Sequence, residues 1–237
     1  MLRFIYTIAG HLPTALYSIH KMRKAKKNLE TLEEKYVVGQ SVIKTVIKKS
    51  RCKVNVYGLE NIPQKSGMAV FSNHQGKFDA LAIFDNFPKV LKVVIDDKAS
   101  HAPIVDDFLN LIEAKRLQKD NMRQGIKLFK EVEEEVKEGI NYLIFPEGEW
   151  HDNKNTLQEF KTGCMKFLYR AKCPIQPVCI YDTYKVYGIN SLKKVECSVH
   201  YLKPIYFEEY ENLTKQELAD LVKSRIQEKL DEIESNK

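Results

Sequence analysis

The sequence predicts a mixed α/β domain that follows a basic helical hairpin. Apolar runs typical of strands alternate with segments of helical periodicity, which is the pattern of a sheet flanked by helices. The strand-like runs are 54–58, 68–71, 90–95, 140–145, 174–180 and 195–201, and the helical segments are 80–86, 124–137 and 214–230. With 237 residues, the chain is long enough for one such domain and an appendage.

The positive charge of the chain is concentrated at its N-terminus. Residues 1–53 hold 12 Lys and Arg against 3 Asp and Glu, whereas the formal net charge of the whole chain is only +6. The basicity therefore belongs to the N-terminal arm and not to the domain that follows it. This distribution favours an anionic membrane surface as the partner of the arm, and we expect no nucleic-acid partner.

Residues 1–50 predict two helices that form a hairpin. Five apolar residues recur at steps of three or four, namely Ile5, Ile8, Leu12, Leu16 and Ile19. Five cations follow within residues 21–27, and a second apolar stripe covers residues 29–50. We favour a first helix that lies in the membrane interface with its basic end on anionic headgroups. A helix that caps the core and a helix that spans the membrane are the alternatives.

The composition limits the class of protein. Apolar residues make up 43% of the chain and charged residues 30%, which excludes a disordered chain and a polytopic membrane protein. The five cysteines form no C-x-x-C pair, so we expect small core residues in a reduced, cytosolic compartment. No pattern of His and Cys predicts a zinc site.

A histidine and an aspartate stand where a predicted strand passes into a predicted helix. Residues 72–79 read Ser-Asn-His-Gln-Gly-Lys-Phe-Asp, so four residues separate His74 from Asp79. An imidazole in such a place can act as a general base if a carboxylate fixes its tautomer and stabilises its protonated form. The helix N-terminus would offer free N–H groups to an oxyanion or a phosphate. Alternatively, Asp79 is an ordinary helix N-cap and His74 a loop residue.

A second stretch, Phe-Pro-Glu-Gly at residues 145–148, follows the predicted strand at 140–145. Together with Asn73, His74 and Asp79 it resembles the two signature motifs of the glycerolipid acyltransferases. The nearest resemblance is to the bacterial 1-acylglycerol-3-phosphate acyltransferases, which make phosphatidic acid. It covers residues 50–210, so residues 51–237 are expected to form the acyltransferase domain and residues 1–50 a membrane-docking hairpin.

The resemblance implies a reaction and the residues that perform it. The acyl group would pass from acyl-CoA or acyl-carrier protein to the free hydroxyl of lysophosphatidic acid, at the cytoplasmic face of the membrane. His74 would be the general base and Asp79 would orient it, while Glu147 and Gly148 would help to bind the glycerol phosphate of the acceptor. Neither a metal, a cofactor nor an acyl-enzyme is expected.

Two further residues are implied to bind the phosphate of the acceptor. Arg116 closes a partly matching motif at residues 111–116, which in the family is an apolar strand end followed by an arginine. Lys161 lies in Phe-Lys-x-Gly at residues 160–163. In the family a threonine and an arginine usually follow the Phe-Pro-Glu-Gly turn, but here they are Glu149 and Trp150. The positive charge at the acceptor site is therefore expected to come from Arg116 and Lys161.

Three alternatives stay open at this point. The acceptor could be glycerol-3-phosphate or another lysophospholipid. The chain could be a metal-dependent hydrolase in which His74, Asp79 and Glu147 bind the metal with His151 as a further ligand. It could also be a membrane-binding scaffold without catalytic activity.

Overall fold

A single mixed sheet organises the computed structural model, which describes residues 2–236. Its seven strands are β1 (Cys52–Tyr57), β2 (Ala69–Ser72), β3 (Leu91–Asp96), β4 (Lys115–Leu117), β5 (Asn141–Ile144), β6 (Ile175–Tyr181) and β7 (Val195–Tyr201). They lie in the order β1-β7-β6-β2-β5-β3-β4. The predicted α/β class with a mixed sheet is confirmed.

The strand directions bring the two sequence motifs together. Every pair of neighbouring strands is parallel except β6 and β7, so β6, β2, β5, β3 and β4 share one direction. Phe71 of β2 pairs with Ile144 of β5. The segments that follow these two strands therefore leave the same edge of the sheet side by side, which is where open α/β sheets place their ligands.

Helices cover both faces of the sheet. They are α1 (Leu2–Ile8), α2 (Leu12–Asn28), α3 (Leu32–Lys49), α4 (Asp79–Asn86), α5 (Pro103–Leu111), α6 (Met122–Lys137), α7 (Lys166–Ala171), α8 (Tyr184–Tyr187), α9 (Phe207–Tyr210) and α10 (Lys215–Ser235). Residues of α6, α7 and α10 share one apolar core with Phe71, and residues of α3, α4 and α5 share the other with Val70. This division follows from the alternation of side chains along a strand.

The N-terminal hairpin is present and packs against the domain. Met22 and Ala25 of α2 are buried with Val42 of α3 and Leu111 of α5. Arg3 of α1 is fully buried, and its guanidinium donates hydrogen bonds to backbone carbonyls in the segment 185–193. Residues 2–50 thus share part of their core with the rest of the chain.

Part of the predicted apolar stripe of the hairpin faces solvent. A 3-10 turn at Ala9–His11 separates α1 from α2, and beside it Ile5, Leu12 and Leu16 are between 52% and 57% exposed. No helix within the described range is both long enough and apolar enough to cross a membrane.

The segment 111–116 differs from its prediction as an apolar strand end. Leu111 is the last residue of α5, and Glu113 takes a left-handed backbone conformation with φ of 56° before β4 begins. Arg116 therefore lies inside an edge strand and not in a loop after a strand. The apolar character of Leu111 and Ile112 reflects the burial of a helix end, which a short apolar run cannot distinguish from a strand.

Asn141 joins the beginnings of three neighbouring strands. Its side-chain oxygen accepts hydrogen bonds from the amides of Gly67 and Met68 just before β2, and its amide group donates to the carbonyl of Val90 just before β3. Asn141 itself is the first residue of β5 and is 1% exposed. The side chain supplies partners that the backbone ladder does not provide at this edge of the sheet.

We predict that Asn141→Ala destabilises the protein, because it leaves buried backbone groups unpaired at about 1–3 kcal/mol each. Urea denaturation followed by circular dichroism measures the free energy of unfolding. The matched control is Asn55→Ala, which removes an exposed pair with Glu196 and should change the free energy of unfolding by no more than about 0.5 kcal/mol. Equal changes in the free energy of unfolding for the two variants would show that the hydrogen bonds of Asn141 do not stabilise the sheet.

Candidate active site

His74 and Asp79 form a hydrogen-bonded pair at the carboxyl end of β2. The His74 Nδ1 atom lies 2.7 Å from the Asp79 Oδ2 atom. Because a carboxylate only accepts hydrogen bonds, the ring carries its proton on Nδ1, and Nε2 is left with a free lone pair. The His74 side chain is 19% exposed, whereas that of Asp79 is fully buried. The arrangement suits a base that takes a proton at Nε2 and whose imidazolium form is stabilised by Asp79 at Nδ1.

The conformation of the loop depends on the Asp79 carboxylate. Its Oδ2 atom accepts hydrogen bonds from the backbone amides of Gln75 and Gly76 as well as from the His74 ring. Asp79 is not the N-cap of α4, since Phe78 occupies that position and Asp79 is the first helical residue. Its carboxylate turns back onto the loop that carries His74.

Three amides at this junction are unavailable to a ligand, contrary to the expectation for a helix N-terminus. Asp79 binds the amides of Gln75 and Gly76, and the amide of His74 donates to the Glu147 Oε1 atom over 2.8 Å. An oxyanion in the site must therefore accept hydrogen bonds from donors other than these three amides.

The His74 ring is also fixed from its face. The ring of Phe145 stacks on it with a centroid distance of 4.3 Å and an interplanar angle of 23°. Phe145 directly follows β5, so the contact is a product of the parallel pairing of β2 with β5. The imidazole is therefore held by a carboxylate in its plane and by an aromatic ring on its face.

Glu147 lies under the loop of His74. It is 2% exposed, its Oε1 atom accepts from the His74 amide, and its Oε2 atom accepts from the Gln158 side chain over 2.6 Å. Burial raises the pKa of the Glu147 carboxyl above its usual value, and the hydrogen bonds from His74 and Gln158 lower it in part. The structure thus brings Glu147 and His74 together, with the carboxylate directed at the backbone of the base, and the implied contact of Glu147 with the acceptor stays a prediction.

Two side chains to which the sequence assigned no role, Asn73 and Gln75, attach the His74 loop to β6. Asn73 exchanges hydrogen bonds with both the amide and the carbonyl of Ile180. Gln75 is 3% exposed, donates to the carbonyl of Ile180 and accepts from the Thr183 hydroxyl. The signal that could have found them is their position on either side of His74, since polar residues there need partners once buried.

Gly148 and Lys161 lie against each other. Gly148 has φ of +79°, and a Cβ atom on it would lie 2.9 Å from the Lys161 Nζ atom. The Lys161 side chain is 60% exposed, and its Nζ atom lies 3.8 Å from the Glu149 Oε1 atom. A cation thus stands beside the Phe-Pro-Glu-Gly turn, partly balanced by the carboxylate that follows the turn.

Arg116 is separate from this group. It lies on β4, three strands from β2, which corresponds to roughly 14 Å across the sheet. Its guanidinium contacts the Asp106 Oδ1 atom at 2.6 Å and also the Ser100 hydroxyl. These contacts join β4 to α5. The structure therefore does not bring Arg116 together with His74, and its implied role in phosphate binding stays a prediction.

A large cleft opens at the edge of the sheet that carries His74. Its volume is about 1310 Å³, and its walls come from the N-terminal helices on one side and from α6 and α7 on the other. His74, Phe145, Gly148 and Lys161 line it, as does Lys77 of the loop between β2 and α4. Because the Nδ1 atom of His74 faces buried Asp79, Nε2 is the ring nitrogen that a molecule in the cleft can reach.

The residues proposed for a metal in the hydrolase alternative do not converge on one point. Asp79 contacts the His74 ring, whereas Glu147 contacts its backbone. His151 is 66% exposed and pairs with Glu149 at 3.9 Å. Within the part of the chain that the structure describes, no group of three His, Cys, Asp or Glu side chains could hold a metal ion.

Comparison with known proteins found relatives that are named as acyltransferases. The chain is 28% identical over 203 residues to a 1-acyl-sn-glycerol-3-phosphate acyltransferase of Borreliella burgdorferi, which covers 84% of this chain and 80% of that protein. It is 26% identical to the chloroplastic 1-acyl-sn-glycerol-3-phosphate acyltransferase LPAT1 of Arabidopsis thaliana, over 65% of this chain and 44% of that protein.

A solved structure and a family model extend the comparison. The crystal structure of the 1-acyl-sn-glycerophosphate (LPA) acyltransferase PlsC from Thermotoga maritima has the same fold, with a TM-score of 0.72 at 19% identity over 98% of this chain and 91% of that one. The family model described as Acyltransferase matches residues 53–181, more than half of the chain. These residues include the β2–α4 junction and the turn after β5. The chain therefore belongs to the acyltransferase family.

Proposed function

We propose that the protein transfers an acyl group from a thioester to the free hydroxyl of lysophosphatidic acid and so forms phosphatidic acid. The observation that carries this proposal is the His74 imidazole, fixed by Asp79 and Phe145 and lining a cleft of about 1310 Å³. A cleft of this size can hold an acyl chain and an acceptor together. The names of the relatives from Borreliella burgdorferi and Arabidopsis thaliana support the same substrate.

The chemistry follows from the free Nε2 atom of His74. As the acceptor hydroxyl attacks the thioester carbonyl carbon, Nε2 takes the hydroxyl proton and a tetrahedral intermediate forms. The carbon–sulfur bond then breaks, and the imidazolium returns the proton to the departing thiolate. The products are the ester and the free thiol of the carrier. Asp79 stabilises the imidazolium between the two proton transfers, since its carboxylate lies 2.7 Å from Nδ1.

Direct transfer agrees with the state of the cysteine at the cleft. Cys164 lines the cleft, and burial raises the pKa of its thiol to about 12. A nucleophilic cysteine needs to be a thiolate, so this thiol is a poor candidate for an acyl-enzyme intermediate at neutral pH. The acceptor hydroxyl itself is the nucleophile in our proposal.

The residues around the pair act as positioning groups in this scheme. Glu147 binds the amide of His74, and Asn73 and Gln75 attach the same loop to the backbone of β6. Holding a base in one geometry lowers the activation free energy, because the reactants then need little reorganisation. A direct contact of Glu147 with the acceptor is the alternative that the family resemblance implies.

We propose that Lys161 binds the phosphate of the acceptor. Its ammonium lies beside Gly148 at the wall of the cleft, and its only ion pair in the described structure is the one at 3.8 Å with Glu149. Lys77, three residues after His74, also lines the cleft and is a second candidate cation for the phosphate. The partners of Arg116 favour a role in holding β4 to α5.

The donor and the location complete the proposal. The thioester carrier is acyl-CoA or acyl-carrier protein, and both acceptor and product are lipids of the membrane. The exposed residues Ile5, Leu12 and Leu16 of the hairpin, together with the cations of residues 21–27, support a peripheral or shallow contact with the cytoplasmic face of an anionic membrane.

We predict that His74→Ala lowers kcat by about 10²–10⁴-fold, because it removes the general base. Asp79→Asn should also lower kcat steeply, since an amide does not stabilise the imidazolium as a carboxylate does. Transfer from acyl-CoA and from acyl-carrier protein to lysophosphatidic acid measures both effects. The control Asp220→Asn removes an exposed carboxylate on α10 and should retain activity. Near-normal turnover by folded His74→Ala protein would contradict the assignment.

We predict that Lys161→Ala raises KM for lysophosphatidic acid and lowers kcat/KM by about 10–100-fold, the loss expected for one charge-assisted hydrogen bond. The control Lys203→Ala removes an exposed cation after β7, whose carboxyl end lies at the opposite edge of the sheet, and should leave KM unchanged. Arg116→Ala is measured beside them. A rise in KM for Arg116→Ala but not for Lys161→Ala would assign the phosphate to Arg116 and contradict our proposal.

A further inference from the structure

The cleft has a second rim that exposes apolar side chains, opposite the N-terminal helices. Met122 and Ile126, one helical turn apart at the start of α6, are 82% and 58% exposed, and both line the cleft. Trp150, which follows the turn after β5, lines it as well and is 43% exposed. Exposed apolar side chains gathered at the mouth of one cleft mark a surface that meets an apolar partner.

A row of cations runs beside this apolar row. Arg123, Lys127 and Lys130 repeat the spacing of Met122, Ile126 and Phe129 one residue further along α6, so the two rows are neighbours on the helix surface. None of the three cations forms an ion pair within residues 2–236. An apolar row flanked by unpaired cations fits the boundary between acyl chains and anionic headgroups.

The topology places this surface at the same edge of the sheet as His74. The helix α6 follows β4 after a short loop, and Trp150 lies in the segment after β5. Both strands have their carboxyl ends at that edge. The exposed residues Leu12 and Leu16 of α2 border the same cleft from the other side, next to lining residues His11 and Ala15. A flat membrane can therefore touch both sides of the opening.

We propose that residues Met122, Ile126 and Trp150, with Arg123, Lys127 and Lys130, form a second membrane-docking rim that contacts an anionic bilayer. The cleft would then open directly onto the lipid between this α6 rim and an α2 rim formed by Leu12 and Leu16. A lipid acceptor enters sideways from the bilayer, without passing through water. This inference rests on the proposed function for the identity of the acceptor, but the contact with the bilayer stands on the surface itself.

The single tryptophan of the chain reports on the α6 rim directly. Vesicles of phosphatidylcholine with phosphatidylglycerol should shift the emission of Trp150 to shorter wavelength, because its ring enters a less polar environment. Vesicles whose acyl chains carry bromine should quench that emission. Unchanged and unquenched emission on vesicles that sediment the protein would show that the α6 rim faces away from the bilayer and would overturn the proposal.

Substitutions test the two rims separately. Met122→Gln with Ile126→Gln should weaken partitioning into the vesicles roughly ten- to hundredfold, as Leu12→Gln with Leu16→Gln should on the other side. Glutamine suits a helix and adds no charge. The control Leu59→Gln changes a residue that is 44% exposed after β1, at the opposite edge of the sheet, and should bind as the unmodified chain does.

The cations give an independent arm of the same experiment. Arg123→Gln, Lys127→Gln and Lys130→Gln should each weaken binding about fivefold on vesicles that contain phosphatidylglycerol, but not on phosphatidylcholine alone. Deleting residues 1–27 would test the role of the hairpin in membrane binding less cleanly, because it would also remove Met22 and Ala25 from the core. Substitution by point variants leaves that core intact.

Activity assays separate this proposal from the proposed function. Arg123→Gln and Lys127→Gln change α6 residues outside the lining of the cleft. They should retain transfer to lysophosphatidic acid that is dispersed as monomers, while transfer to lysophosphatidic acid in anionic vesicles falls. Unchanged vesicle binding with a raised KM for acyl-carrier protein would make the α6 surface a docking site for a protein, and would overturn the membrane contact. An unmodified chain that binds vesicles through Trp150 but transfers no acyl group would contradict the function and leave the rim standing.

Discussion

The site depends on one constraint, which is that the loop between β2 and α4 must hold a histidine ring in a single orientation. The carboxylate of Asp79 achieves this from inside the loop, since one of its oxygens binds the ring and two backbone amides. The carboxylate of Glu147 achieves it from the neighbouring strand by binding the amide of His74. Both carboxylates are buried, so each depends on these donors to offset its loss of water.

The sheet topology makes this constraint possible. Because β2 and β5 are parallel neighbours, the segments that follow them begin side by side, and Phe145 and Glu147 reach His74 from the next strand. On the other side, β6 receives the side chains of Asn73 and Gln75. The catalytic loop is thus attached to the strands on both sides, while the cleft in front of it stays open.

Much of this could be predicted from the sequence, and the remainder has physical reasons. Apolar runs and their alternation with helices predict the class of fold. The His74–Asp79 pair is expected from its spacing at a predicted strand–helix junction together with the resemblance to the acyltransferase motifs. The assignment of Arg116 rested on one residue beside an apolar run, which turned out to be a helix end. Roles for Gln75 and Gln158 could not be predicted from a motif, because their hydrogen-bond partners Ile180 and Glu147 come near them only in the folded chain.

The most direct test of this account is the effect of Glu147 on the two kinetic constants. If the buried Glu147 carboxylate positions His74 through its amide, Glu147→Gln and Glu147→Ala should lower kcat and leave KM for lysophosphatidic acid nearly unchanged. The alanine variant should lose more, because it leaves the His74 amide without its partner. A raised KM with unchanged kcat would contradict the account, since Glu147 would then bind the acceptor and would not position the base.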